Sequence, residues 1–200
     1  ALAGNRIGDD HEDLVVGLAV LGHDLGRPLM QIIDPDGRIR APGHAEAGEA
    51  VARQFVRDLT GQPALAAEVA PLVRWHNEPT RLFAAGAGAG DVRRLARDVG
   101  RVDRLLRVVR ADWAGRGAAS VADPPPAAWL EARAEDLGVL TGPPEPIVLG
   151  RHLRSRGLRA GPRFGTLLAR CFEAQLDGRF TDLDGGLAFL DDVLRSDRRD

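Results

Sequence analysis

Five residues of this chain combine metal-liking side chains with positions where apolar ones are expected: His23, Asp24, His44, His76 and Asp112. His23 and Asp24 are adjacent and close the apolar run Leu18-Ala-Val-Leu-Gly-His-Asp-Leu25. His44 opens a series in which Gly48, Val51, Ala52 and Phe55 follow at the steps of one helix face. His76 ends the in-register set Leu65, Val69, Leu72, and Asp112 continues the stripe of Leu105 and Val108. A carboxylate on an apolar face is costly unless it is paired or bound to a cation. Imidazole nitrogen and carboxylate oxygen without thiolate suit a divalent ion such as Mn, Mg, Ni, Co, Fe or Zn. Such an ion lowers the pKa of a bound water toward neutrality and offers hydroxide at phosphorus. The competing reading of each histidine is a core imidazole held by an ordinary hydrogen bond.

The elements that must position these groups read as helices, and the fold class is all-α. The first runs from about Asp13 to Leu25 with Leu14, Val15, Leu18, Leu21 and Leu25 inward, and Gly26 and Pro28 as its stop signals. Asp34-Pro-Asp-Gly37 is a turn within a loop that has room for a short hairpin. Helices follow from His44 and over Pro63–His76, where Pro71 predicts a kink or break. The Ala- and Gly-only stretch 84–90 reads as a mobile loop, after which Asp91 caps a helix through Leu95 and Val99. Arg101–Gly115 comes next, then the stiff break Asp123-Pro-Pro-Pro126 and a helix over Ala127–Leu137. A second break, Gly142-Pro-Pro-Glu-Pro146, marks the expected boundary between a unit of residues 1–142 and a C-terminal helical unit of residues 147–200. That unit should hold helices over Val148–Arg156, Pro162–Leu176 and Leu183–Arg195, with Phe164, Leu168, Cys171 and Gln175 on one face of the middle helix.

Two hundred residues at 44% hydrophobic content suffice for one sizeable core with a small appended unit. No apolar run is long enough for a membrane span, and no leader pattern is visible. A single cysteine, Cys171, precludes an internal disulfide framework and suits a reducing cytoplasm. The net charge of -2 supplies no global attraction to nucleic acid, so any RNA contact must come from local clusters. One such cluster is Arg151, Arg154, Arg156, Arg159 and Arg163, placed to track an RNA backbone or simply to be solvated. The chain opens on Ala1 and its only methionine is Met30, so native residues are expected to precede it.

Gly22-His-Asp-Leu-Gly-Arg27, Gly43-His44, Val73-Arg-Trp-His76 and Arg110-Ala-Asp112 resemble, in order, the motifs of the HD superfamily of metal-dependent phosphohydrolases. The longer stretches Arg38–Gly48, Leu72–Pro79 and Arg110–Arg116 are similar to the HD region of bacterial CCA-adding tRNA nucleotidyltransferases and related poly(A) polymerases. Leu149–Leu153, Gly161–Leu168 and Gln175–Gly178 resemble the C-terminal helical unit of those enzymes. The strand-borne Asp pair and Gly-Ser loop of the nucleotidyltransferase head do not occur here, so nucleotide addition by this chain alone is not expected. The family's first metal histidine would fall before Ala1, with His11 as the nearest stand-in, and Asn77 follows His76 where a second Asp can stand.

The resemblance implies a hydrolase of small phosphoesters, such as a nucleoside monophosphate or a 2',3'-cyclic phosphate at an RNA end. His23, Asp24 and Asp112 would hold the divalent cation, with His44 and His76 as further ligands or as contacts to substrate phosphate or a second ion. Asp24 would also orient or deprotonate the attacking water. Arg27, Arg74 and Arg116 flank the motifs and are the candidate phosphate partners, against the alternative of solvated surface arginines. The rival expectations are a non-catalytic body that binds tRNA, or one part of a split nucleotidyltransferase that works with a separate catalytic chain.

Overall fold

Asp9 starts the first helix by accepting the backbone N–H of His11 at 2.9 Å, so α1 spans Asp10–Gly22 and carries three acidic residues in its first turn, where the helix dipole favours them. The structure, a computed structural model, describes residues 9–116 and 123–197. After α1 come α2 (Arg27–Met30), a hairpin of β1 (Ile32–Ile33) and β2 (Ile39–Arg40), α3 (His44–Thr60) and α4 (Pro63–Trp75). Then follow α5 (Glu78–Ala85), α6 (Ala89–Val99), α7 (Val102–Gly115) and α8 (Pro125–Asp136). The chain closes with α9 (Gly150–Arg154), α10 (Pro162–Leu176) and α11 (Leu183–Ser196). The fold is all-α; the antiparallel pair β1–β2 sets Ile33 opposite Ile39 across the Asp34–Gly37 turn.

Val15, Leu18, Ala52, Val56, Leu65, Val69, Leu72, Val73, Leu95, Leu105, Leu106 and Leu130 belong to one buried cluster, built by α1, α3, α4, α6, α7 and α8. A second cluster gathers Val148, Leu153, Leu167, Cys171, Ala174, Phe180, Leu190 and Val193 around α9, α10 and α11. Between the clusters, the Gln175 side chain donates to the Glu145 carbonyl at 2.7 Å and accepts the Ile147 N–H at 2.9 Å. Polar bonds also join α10 to α6: Arg94 and Arg97 each bond Glu173, at 3.1 and 2.6 Å, and Arg93 donates to the Leu176 carbonyl at 3.1 Å.

Several sequence expectations change in the folded chain. Leu14 and Leu21 are 46% and 63% exposed; the buried face of α1 is instead Val15, Val16, Leu18, Ala19 and Gly22. Small residues define that face because α1 lies close to its neighbours: a Cβ on Gly22 would sit 3.7 Å from that of Ala52 and 3.8 Å from Val73. α4 runs through Pro71 without a break. Ala67, whose carbonyl Pro71 cannot bond, is exposed and lines an open cavity of about 350 Å³ with Pro71, so water can reach the unpaired group. Pro79 begins α5 where no helix was expected, and the supposed loop over 84–90 shrinks to residues 86–88. Gly86 closes α5 at φ 62°, and Asp91 accepts the Gly88 N–H at 3.0 Å from inside α6. Pro125 and Pro126 do not break the chain but form the first turn of α8.

Arg104 of α7 is 8% exposed and ties three helices together. Its guanidinium donates to Glu12 of α1 at 2.6 Å and to Glu68 of α4 at 2.7 Å. The bond from Arg104 holds the Glu12 carboxyl below the usual glutamate range; burial opposes the same shift at Glu68, but the bonds from Arg104 and His11 outweigh it. Because both carboxyls bind protons less readily folded than unfolded, their stabilisation is full above the ordinary glutamate pKa and is lost as pH falls through the lowered folded value. Glu12→Gln should therefore cost about 1–2 kcal/mol at pH 7, and its deficit against wild type should shrink below about pH 4. Urea unfolding at a series of pH values measures both.

Candidate metal centre

The centre forms where four chain segments end or begin. α1 stops at Gly22, which leaves His23 as its C-cap and Asp24 in the turn to α2. The hairpin delivers His44 to the first position of α3, His76 caps the end of α4, and Asp112 lies in the last turn of α7.

Each of the three histidines bonds through Nδ1 to the carbonyl three residues before it: His23 to Val20 at 2.7 Å, His44 to Ala41 at 2.8 Å and His76 to Val73 at 2.7 Å. A carbonyl only accepts, so Nδ1 carries the proton and the neutral ring presents a lone pair at Nε2. Those lone pairs converge. His23 Nε2 lies 3.4 Å from Asp24 Oδ2 and 3.5 Å from Asp112 Oδ1, and His44 Nε2 lies 3.4 Å from Asp24 Oδ1. The His76 ring centroid is 5.3 Å from those of both His23 and His44. Asp24, His44 and His76 offer ligand atoms that all lie within 4.8 Å of one another.

This set fits a divalent cation. Acceptors facing acceptors at such range repel unless a proton or metal ion stands between them, and on the side away from the histidines Asp24 Oδ1 is balanced only by the half-exposed Arg27. Histidines whose far nitrogens bond backbone carbonyls are already oriented as ligands. Burial pushes the His76 imidazole below its usual pKa, opposed by the hydrogen bond it donates to the Val73 carbonyl, and so favours the neutral ring. Burial resists ionisation of Asp24, but the hydrogen-bonded ion pair with Arg27 opposes it, and the carboxyl falls below the usual aspartate range.

The structure brings Asp24, His44 and His76 within metal-ligand reach of one another, and His23 lies against both Asp24 and Asp112. His11 does not stand in for an additional ligand: its Nε2 lies 3.2 Å from Glu68, about 18 Å along α1 from His23. Asn77, which stands where a second Asp can, sets its side-chain amide nitrogen 3.3 Å from His44 Nε2. Arg27 and Arg116 lie at the rim, the first 2.7 Å from Asp24 and the second bonded to Asp112 at 3.0 and 2.5 Å. Arg74 bonds Glu49 at 3.0 Å and lies over the Trp75 ring at 5.0 Å. In the tail, Arg156 is bonded to Asp191 at 3.0 Å, Arg163 is 3.5 Å from Asp197, and Arg151 meets the His152 ring at 3.1 Å. Arg154 and Arg159 are exposed and make no ion pair among the described residues.

Sequence reading missed how closely the Asp24 turn approaches α3. Gly26 has ordinary helical dihedrals, so its role is not a turn that other residues could not make. A Cβ there would lie 2.0 Å from the His44 carbonyl oxygen and 2.6 Å from the Gly48 nitrogen. The detectable signal was Gly48, a glycine inside a helix, where it costs about 1 kcal/mol and calls for a packing reason.

Histidines and carboxylates converging from the ends of packed helices define a candidate divalent-cation centre in an all-α protein. Within that class the chain is 32% identical over 177 residues to the CC-adding tRNA nucleotidyltransferase of Thermus thermophilus, a match that covers 86% of this chain and 38% of that protein. The chain is thus related in sequence to a tRNA nucleotidyltransferase and spans less than half of its relative's length. No family model matches the chain, and no solved structure matches it. No helix among the described residues is long and apolar enough to cross a membrane.

Gly26→Ala should force the Asp24 turn off α3. The expected result is a loss of about 2 kcal/mol or more in stability and at least about tenfold weaker Mn2+ binding, because a shell displaced by an ångström no longer converges. Urea unfolding and calorimetric titration check the two effects separately.

Proposed function

We propose that this chain is a metal-dependent phosphohydrolase of the HD type that acts on nucleotide or RNA-end phosphoesters. The observation that carries the reading is the convergence of three unprotonated imidazole nitrogens on the Asp24 carboxylate, with Asp112 beside His23. His23, Asp24 and Asp112 would hold the cation, and His44 and His76 complete its shell or meet the substrate phosphate. A divalent ion there supplies Lewis acidity, which makes hydroxide available near neutral pH for attack on phosphorus. Asp24, with its lowered pKa, is a weak base; it serves better as ligand and orienter of the attacking water than as proton acceptor. Arg27 and Arg116 are placed at the rim to receive phosphate oxygens, while Arg74 is engaged by Glu49 and Trp75. A reducing compartment, the cytoplasm, suits the single buried Cys171.

The sequence match favours a second reading. Related to 38% of a CC-adding enzyme, the chain would act as one part of a tRNA nucleotidyltransferase, with the head supplied by further residues or by a separate chain. The exposed Arg154 and Arg159 would then contact the tRNA backbone, and affinity would fall steeply with salt.

A metal screen against a panel of phosphomonoesters and cyclic phosphodiesters, with bound metal measured directly, separates these readings. The hydrolase reading requires turnover with at least one divalent ion and a fall of at least about 100-fold in metal affinity and rate in Asp24→Asn. Tight, salt-sensitive tRNA binding with no hydrolysis of any ester by the metal-loaded chain would sink it in favour of the second.

A further inference from the structure

The geometry points to Arg27 and Arg116 as built-in counterions of the metal-free centre, which a bound divalent cation displaces onto the substrate's phosphate, so that cation and oxyanion bind cooperatively. This inference rests on the phosphohydrolase reading.

The same arrangement occurs twice. Asp24 precedes Arg27 by three residues and Asp112 precedes Arg116 by four, and in each pair the carboxylate is the more buried partner. Side-chain exposure is 39% for Asp24 against 53% for Arg27, and 19% for Asp112 against 55% for Arg116. Both carboxylates also touch the same nitrogen, His23 Nε2, from two different elements. The two anionic groups of the centre are therefore neutralised by guanidinium groups that remain half in water.

Arg53 and Arg81 also pair with a carboxylate one turn away, but neither Glu49 nor Glu78 touches a histidine of the centre, whereas Asp24 and Asp112 both do. Arg104 is held between acids of α1 and α4, and Arg110 between Asp123 and Glu131, so each ties distant parts of the chain together. Arg27 and Arg116 reach only a carboxylate one turn away, a contact that contributes little to the fold. Their placement gains significance from the centre they flank.

A divalent cation held by His23, Asp24 and Asp112 would take up the carboxylate lone pairs that Arg27 and Arg116 now face and repel both guanidinium groups. Both arginines have long, flexible stems whose heads can move several ångströms without disturbing α2 or the end of α7. Once released they are cations at the mouth of a positively charged site, and the guanidinium fork matches two oxygens of a phosphate group. By linkage, phosphate must then tighten the cation by the factor with which the cation tightens phosphate.

The test is calorimetric titration of Mn2+ into the intact chain at constant ionic strength, with and without inorganic phosphate. Wild type should bind Mn2+ about 5- to 100-fold more tightly when phosphate is present. Arg27→Gln and Arg116→Gln should each bind Mn2+ several-fold more tightly than wild type in its absence and lose most of the enhancement. Arg57→Gln removes an exposed charge about 20 Å along α3 from His44 and should match wild type in both conditions. Arg27→Lys keeps the counterion but not the fork, so it should retain wild-type Mn2+ affinity without phosphate and show a reduced enhancement. Unfolding curves establish that each variant is folded at the titration temperature. If wild type binds Mn2+ and hydrolyses a phosphoester, yet both glutamine variants leave the phosphate-free affinity unchanged or weaker, the counterion exchange is wrong and the hydrolase reading survives. If wild type binds neither Mn2+ nor any other divalent ion of the metal screen, both fall.

Discussion

Three backbone carbonyls hold this candidate centre together. By accepting the Nδ1 protons of His23, His44 and His76, the carbonyls of Val20, Ala41 and Val73 determine which nitrogen of each ring is unprotonated and where it points. The bonds are local, each spanning three residues, so a ring is oriented by the helix end it belongs to. Convergence is then a question of bringing helix ends together. α3 and α4 pack closely along the core, while the Asp24 turn is pressed against the start of α3 at Gly26 and Gly48. A site of this kind tolerates little slack, because ligand distances depend on backbone separation rather than on side-chain adjustment.

The surrounding charges follow from the same economy. Arg104 joins α1, α4 and α7 through Glu12 and Glu68, at the end of α1 remote from His23, and so fixes the helices that lead to His23, His76 and Asp112. Where carboxylates belong to the centre, their arginine partners come from one turn away and stay exposed. Long-range pairs hold the scaffold and short-range pairs balance the site. The second cluster of α9–α11 is joined to α6 through arginine bonds to Glu173 and to the Leu176 carbonyl, and it buries Cys171 in its own apolar interior.

Relationship to a tRNA nucleotidyltransferase gives the centre a setting without deciding its chemistry, since the match covers 38% of that protein. The argument for hydrolysis rests on the donor set: imidazole and carboxylate, no thiolate, gathered at the ends of rigid helices with two half-exposed arginines at the rim.

The sequence by itself determined the helical class and most helix positions, and it singled out the five residues of the candidate site. These follow from local regularities: 3.6-residue periodicity, capping and proline signals, and the penalty for ionisable groups on apolar stripes. It did not determine which face of α1 is buried, because Leu14 and Leu21 satisfy the same periodicity as Val15 and Ala19, and only close contact with Ala52 and Val73 chooses between them. Nor could it show that α4 continues through Pro71, where exposure of the Ala67 side of the helix removes the penalty for a lost hydrogen bond. The mutual approach of the three histidines, the engagement of Arg74 by Glu49 and of His11 by Glu68, and the role of Gly26 were likewise decided only by tertiary structure. Each depends on the distance between groups far apart in the chain, a quantity that no local pattern of residues contains.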